Sequence, residues 1–259
     1  MRTHKAAVLL VISTLAVTTI TAMAMRTKSN SFFRNQDHSP NERQQEERYN
    51  RRKERERKFP AVDYEAPEPA EPEKRAKRKL KNSRYDRFGF AIEDPSPRTG
   101  EESLESEWQL HVESIPAAQS DSIVVGEVLS GEAHLSNDKA GVYSEFTVRI
   151  IEVIKSNNPS LLAPGNLIDI DRPGGFVRYP NGHKRFYSVL GQNMPEIGRR
   201  YVLFLTASGQ SPNYRLLTGY ELGSDGVAPL DNSTKMDVYK GVDETTFLKT
   251  VRDAVTKSQ

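Results

Sequence analysis

"GRRYVLFL", residues 198–205, carries bulky apolar side chains on both faces when it is written as an extended strand. A strand that is apolar on both faces is normally buried on both sides, so this stretch predicts a central strand of a sheet. "YRLLTGYEL" (214–222) follows, and its alternate residues from Tyr214 to Leu222 are predicted to share one face. We therefore expect both stretches to be core strands.

Three earlier apolar segments extend this pattern: "SIVVGEVL" (122–129), "VYSEFTVRIIEVIK" (142–155) and "NLIDI" (166–170). The second alternates cleanly as far as Ile150 and then slips in phase, which predicts a β-bulge or a strong bend near that residue. In the third, Ile168 and Ile170 are expected to point inward. Short antiparallel strands at this spacing are typical of a small barrel or sandwich.

The C-terminal end of the sequence has helical periodicity instead. "DETTFLKTVRDAV" (243–255) has apolar residues at helical spacing, and Asp243 precedes them as an expected N-cap. The predicted fold class is thus all-β, a small antiparallel OB-like barrel with a C-terminal amphipathic helix. We place the barrel domain at residues 108–232 and the helix that packs on it within residues 233–259.

A charged segment precedes the predicted barrel. Residues 26–88 contain 19 basic and 12 acidic groups, whereas residues 89–259 contain 16 and 23. Segments so poor in apolar residues do not offset the entropy lost on ordering, so residues 25–107 are predicted to be a disordered arm. The arm is either a basic surface for an anionic partner or a solvated spacer, and charge runs more often serve the second role.

The first 24 residues have the features of a targeting segment. Arg2 and Lys5 precede an apolar stretch that ends in Ala22-Met23-Ala24, the pattern of a secretory signal peptide that is cleaved after Ala24. An uncleaved anchor is the alternative, because the apolar stretch is about long enough to span a bilayer. The basic residues that follow it make a cytoplasmic orientation a third option. We expect an exported protein that is periplasmic, secreted or tethered to a membrane.

The strand motifs carry one family resemblance. "SDSIVVGEV" (120–128), "FTVRIIEVIK" (146–155), Gly165 before a strand and "GRRYVLFL" resemble the netrin-module and metalloproteinase-inhibitor type of OB-like barrel. They are more similar still to cysteine-free exported bacterial proteins of unassigned function. The inhibitors of this group use an N-terminal cysteine, and this chain has no cysteine, so the resemblance implies a fold and not protease inhibition.

The sequence offers little support for catalysis or cofactor binding. Without cysteine, disulfides, zinc thiolates and thiol nucleophiles are excluded, and none of the five histidines lies in a metal-binding spacing. Asp169 and Asp171 share a predicted strand face and could hold a hard cation, although two such carboxylates are more often on a wet sheet face. We therefore predict no cofactor, no metal site and no enzymatic activity.

One predicted hairpin contains the only candidate ligand site. If Asn181-Gly182 is a two-residue turn, Arg178 faces Arg185 and Phe176 faces Tyr187. Two arginines directly opposite each other repel, so an acidic group or an anionic ligand should neutralise them. The alternative to this anion-binding patch is a mobile hairpin whose arginines extend into water.

These observations favour a non-catalytic binding or protein-interaction module of unknown ligand. The expected partner is a protein or an anionic cell-envelope polymer, and membrane contact through residues 1–25 and the arm is possible. Nucleic acid is not expected as a partner, because few aromatic residues accompany the basic ones. A structural envelope component with the arm as a spacer is the first alternative, and a hydrolase with an unrecognised site is the second.

Overall fold

The computed structural model describes residues 46, 50, 53, 58–87, 91–92, 101–106, 112–157, 162–208 and 213–258. For residues 91–92 and 101–106 it describes the backbone alone. The predicted targeting segment, residues 1–24, lies outside these ranges, as do most of residues 25–57.

The described residues include two sheets and two α-helices. The strands are β1 (Ala61–Asp63), β2 (Ala91–Ile92), β3 (Glu101–Ser106), β4 (Ser122–Leu135), β5 (Val142–Ser156), β6 (Leu167–Pro173), β7 (Gly175–Arg178), β8 (Lys184–Val189), β9 (Arg200–Ala207), β10 (Asn213–Gly223) and β11 (Gly226–Pro229). The helices are α1 (Pro72–Asn82) and α2 (Glu244–Ser258), and 3₁₀ turns occur at Ser83–Tyr85 and Asp237–Tyr239.

The larger sheet closes into a barrel. Its strands follow the order β4-β5-β6-β10-β9, and β9 pairs back onto β4. All pairings in the ring are antiparallel except β6 with β10, which run parallel over residues 169–171 and 213–215. This five-stranded Greek-key closure has the topology of an OB-like barrel, so the predicted all-β fold class with a C-terminal helix is confirmed.

The stretch 198–205 is central, as predicted. Strand β9 pairs with both β4 and β10, and its residues from Val202 to Leu205 are completely buried. Leu203 and Leu205 point into the barrel, whereas Val202 and Phe204 face the layer beneath α2. Ile168 and Ile170 also lie in the barrel interior, as expected.

Bulges turn the long strands. The pairing of β4 with β5 shifts after Gly126–Ile150, so that Ile151 has no partner and is 42% exposed while Ile150 is buried. The bulge predicted near Ile150 is therefore confirmed. A shift in β10 between Leu216 and Thr218 was not predicted. It places Tyr214 and Leu216 inside the barrel and Tyr220 beneath α2, so the expectation of one continuous apolar face over 214–222 is wrong.

The smaller sheet has the order β1-β7-β8-β3-β2 and packs against the barrel. The β7–β8 hairpin follows β6 directly, and its Phe176 and Phe186 join the same apolar cluster as the barrel interior. Phe59 packs edge-on against Phe186 at a ring-centroid distance of 4.8 Å. The sheet thus extends the hydrophobic core beyond the barrel itself.

Residues 58–87, which we call the strap, are folded onto this body. Phe59 and Tyr85 are buried, β1 pairs with β7, and α1 begins with Pro72 at its first turn. The prediction of a disordered arm is therefore wrong for these residues. Their order comes from contacts with distant strands, which supply the buried surface that the segment itself lacks.

Helix α2 covers the outside of the barrel. Phe247, Val251 and Val255 are buried in the layer that also contains Val202 and Tyr220. Asp243 accepts a hydrogen bond from the backbone N–H of Thr246 at 2.9 Å, which confirms it as the N-cap.

Candidate functional site

The strap is attached to the outer face of β5 and β6 by charged side chains. Lys81 contacts Glu145, and its Nζ lies 3.5 Å from Oδ2 of Asp171. Arg84 Nη1 lies at the same distance from that oxygen, and Tyr85 donates to Oδ1 of Asp171 at 2.5 Å. We call these five residues, Lys81, Arg84, Tyr85, Glu145 and Asp171, the latch.

The centre of the latch is almost dry. Asp171 and Tyr85 are fully buried, and the Lys81 side chain is 7% exposed. Burial raises the pKa of Tyr85 well above its ordinary value, and the carboxylate of Asp171 raises it further, so the hydroxyl remains a donor. The Tyr85 ring also stacks on Tyr143 at 4.2 Å. The C-terminal part of the strap is therefore held by an ionic network and by the stacking of Tyr85 on Tyr143.

Arg78 joins the latch to the neighbouring cleft. Its Nη1 donates to the hydroxyl of Tyr143 at 3.2 Å, and its Nη2 lies 3.5 Å from Glu145. Although burial alone would raise the pKa of Glu145, Lys81 and then Arg78 lower it below its ordinary value. Glu145 is thus held as a carboxylate between two cations from α1.

A cleft of about 510 Å³ lies between the strap and the β4–β5 turn. One wall is an apolar and extended part of the strap. The opposite wall is the end of β4 with its turn, and α1 forms the third side. The members that matter for recognition are the apolar or aromatic residues Val62, Tyr64, Ala66, Pro67 and Pro69, the cations Arg75, Arg78, Lys79 and Lys139, and the carboxylates Glu68 and Glu132.

The cations of the cleft are oriented by backbone and aromatic groups. Arg75 donates to the carbonyls of Pro69 and Ala70 at 3.0 and 3.1 Å. Lys139 donates to the carbonyl of Tyr64 and lies 4.6 Å above its ring. These neutral partners fix the side chains of Arg75 and Lys139 without cancelling their charge, whereas Arg78 is paired with the carboxylate of Glu145.

Glu68 is the carboxylate that approaches these cations most directly. It lies 3.5 Å from Nε of Arg75 and 3.7 Å from Nζ of Lys79, and its side chain is 61% exposed. An exposed pair of this kind is weak and readily exchanged. Glu68 therefore shows, within the chain itself, how a glutamate side chain of an extended segment can lie between two cations of α1.

His134 lines the same cleft. Burial, followed by the nearby charge of Arg78, lowers its pKa to about 4. Its Nε2 lies 3.9 Å from Glu132 and, among the described residues, makes no hydrogen bond. At neutral pH the imidazole is uncharged, so the positive charge of the cleft comes from its lysines and arginines.

The predicted anion patch is not assembled as the sequence indicated. Arg178 pairs with Lys184, and Arg185 pairs with Val177, because the turn has three residues between Tyr179 and His183 and not two. The expected pairing of the two arginines is wrong, as is that of Phe176 with Tyr187.

The one-residue shift places the four patch residues on different faces. Phe176 and Arg178 lie on one face of the hairpin, and Arg185 and Tyr187 lie on the other. Arg178 binds Asp63 at 2.8 Å. Arg185 lies 5.4 Å from the ring centroid of Tyr179, so protein groups already contact both arginines.

Asp169 and Asp171 also differ from the expectation of a wet sheet face. Asp171 is buried in the latch, and Asp169 accepts a hydrogen bond from Thr147 at 3.1 Å. Within the described ranges, no group of three or more potential metal ligands occurs. Nor does any helix there have the length and apolar character needed to cross a membrane.

Sequence reasoning missed the strap residues that form the cleft and the latch. Their signal was the i, i+3 series Arg75, Arg78, Lys81 and Arg84, which follows a helix-starting Pro72. The sequence alone favours a solvated spacer for this series, since charge runs more often serve that role. No protein-family model matches this chain, and no curated protein is significantly similar to it.

Proposed function

We propose that this protein is a non-catalytic interaction module whose cleft binds an acidic segment of a partner protein. Charge supports the proposal: four cations line the cleft against two carboxylates, and one of those two is the exposed Glu68. A volume of about 510 Å³ is within the range of ligand sites and accommodates a few residues of extended peptide.

A peptide is the occupant that the cleft walls favour. Glu68 is itself a peptide carboxylate between Arg75 and Lys79, and it comes from an extended, proline-rich stretch. Val62, Pro67 and Pro69 add an apolar surface next to the cations, which suits side chains between the acidic residues of a partner. The export predicted from residues 1–24 would bring this surface to partners outside the cytoplasm.

The test uses a fluorescein-labelled hexaglutamate peptide and the full chain, with binding followed by fluorescence anisotropy. Lys79→Gln with Lys139→Gln removes two exposed cleft charges and should weaken binding about tenfold at low salt. Lys249→Gln with Lys257→Gln removes the same charge from α2 and is the matched control. Equal weakening by both pairs would mean attraction by net charge alone and would overturn the proposal.

Two further binding measurements test whether the ligand is an acidic peptide. Glu68→Gln removes the internal competitor and should strengthen binding by roughly two- to fivefold, since the exposed pair is weak. The control Glu65→Gln lies outside the cleft lining and should leave affinity unchanged apart from the small effect of net charge. If a labelled oligogalacturonate binds more tightly than hexaglutamate and depends on the same lysines, the partner is an acidic polysaccharide and not a protein.

A further inference from the structure

The cleft depends on the strap for most of its charge. Of its four cations, Arg75, Arg78 and Lys79 belong to α1, and only Lys139 belongs to the β4–β5 turn. The apolar wall from Val62 to Pro69 is also part of the strap. A binding site for an acidic ligand therefore exists only while α1 is seated on the barrel.

The forces that seat α1 differ from those that seat α2. Helix α2 buries Phe247, Val251 and Val255, whereas the buried residue of α1 is Lys81 and its Leu80 is 58% exposed. Attachment through a buried ionic network depends on every charged partner being present, while attachment through apolar area does not. Of the two helices, α1 is the one that a change in a few charges can release.

The barrel contributes the two carboxylates of the latch. Asp171 faces Lys81, Arg84 and Tyr85, and Glu145 faces Lys81 and Arg78. Neither carboxylate is among the residues that line the cleft. Loss of one carboxylate leaves the buried Lys81 with one counter-charge in place of two and removes the latch partner of Arg84 or of Arg78. The strap relieves this by moving into water.

We propose that Asp171 and Glu145 are positioning residues that control the cleft through the strap. The inference rests on the proposed function, because it describes how that site is switched. Ligand binds the seated strap, so its apparent dissociation constant rises as the seated fraction falls. By linkage, the ligand in turn favours the seated strap.

Limited trypsin digestion of the full chain measures seating, because cleavage after Lys77 or Lys79 requires α1 to leave the barrel. Cleavage at these sites is quantified by mass spectrometry in wild type, Glu145→Gln and Asp171→Asn. Asp169→Asn, on the same strand and hydrogen-bonded to Thr147, is the matched control. We expect at least tenfold faster cleavage in the two latch variants and no change in the control.

The same variants are then titrated with labelled hexaglutamate. Their affinity should fall, and saturating peptide should slow the cleavage of Glu145→Gln α1. Faster cleavage with unchanged affinity would contradict the claim that the seated strap controls peptide binding. Unchanged cleavage in both variants would contradict the claim that these carboxylates hold the strap on the barrel. If wild type does not bind hexaglutamate, the proposed function and its switch both fail, while faster cleavage would still identify the latch as the strap's attachment.

Near-UV circular dichroism separates strap release from unfolding of the barrel. Asp171 is fully buried, so its substitution is the more disruptive; Glu145, whose side chain is 17% exposed, provides the milder variant. Fast α1 cleavage with a spectrum that changes only by the contribution of the Tyr85–Tyr143 stack supports release of the strap alone. Loss of the barrel spectrum in both variants would assign the two carboxylates to global stability and overturn their role in positioning.

Discussion

His134 shows how one buried side chain makes stability depend on pH. Its pKa of about 4 is below the ordinary value because burial and Arg78 both disfavour the imidazolium. The unfolded chain therefore binds a proton at higher pH than the folded chain does. The free energy of unfolding must then fall as the pH drops from about 6.5 toward 4.

We expect His134→Gln to flatten this part of the stability profile. Wild type should lose about 1–2 kcal/mol between pH 7 and pH 5, and the variant should lose much less. Urea denaturation at closely spaced pH values measures the difference. Glu145 contributes only at lower pH, because its own pKa is depressed. Equal slopes in the two proteins between pH 7 and pH 5 would contradict the assignment to His134.

Gly182 shows why the hairpin register could not be derived from the sequence. Its backbone has φ +81°, and its N–H donates to the carbonyl of Tyr179, so it ends a three-residue turn. An Asn-Gly pair fits this turn as well as the two-residue turn that we expected. The difference of one residue places Arg185 on the face of the hairpin opposite to Arg178. The predicted patch required both arginines on the same face.

Among the helices, α2 was predictable and the seated α1 was not. The N-cap Asp243 and the spacing of Phe247, Val251 and Val255 are local signals, so they are visible in a short window of sequence. The partners of the α1 segment are remote, since Lys81 reaches Glu145 across 64 positions. Local sequence reasoning cannot find such contacts.

Phe247 provides the test of how α2 is attached. The ring is completely buried and lies 4.7 Å from that of Tyr220 and 5.3 Å from that of Tyr239. Phe247→Ala should cost about 3–5 kcal/mol of unfolding free energy, measured with guanidinium chloride. Lys249→Ala, on the exposed side of α2, should cost less than about 0.5 kcal/mol. Similar costs for the two variants would contradict apolar docking of this helix.

The barrel itself was predictable from sequence because its strands carry their own patterns. "GRRYVLFL" is apolar on both faces and proved central, and the phase slip at Ile150 became a bulge. The parallel pair in the ring was less accessible, because β6 and β10 meet after a long separation in sequence. The connections that hold distant segments together were likewise absent from the local patterns.

A buried ion pair makes one of these connections. Arg172 of β6 binds both oxygens of Asp231 at 2.8 and 2.6 Å, and the same carboxylate accepts from Thr218 of β10 and from the backbone of Asn193. The Arg172 side chain has no exposed area. Four chain segments are thus tied at one carboxylate, so we expect its charge to support the entire barrel.

Asp231→Asn should therefore cost about 3–5 kcal/mol of unfolding free energy, because it leaves the Arg172 guanidinium buried without its counter-charge. Glu152→Gln is the control, since Glu152 pairs with Arg252 where both side chains are exposed, and its loss should cost at most about 1 kcal/mol. Urea unfolding at low and high salt separates the two cases, because screening weakens only the exposed pair. A small, salt-dependent cost for Asp231→Asn would show that water reaches the Arg172 site and that the barrel does not depend on it.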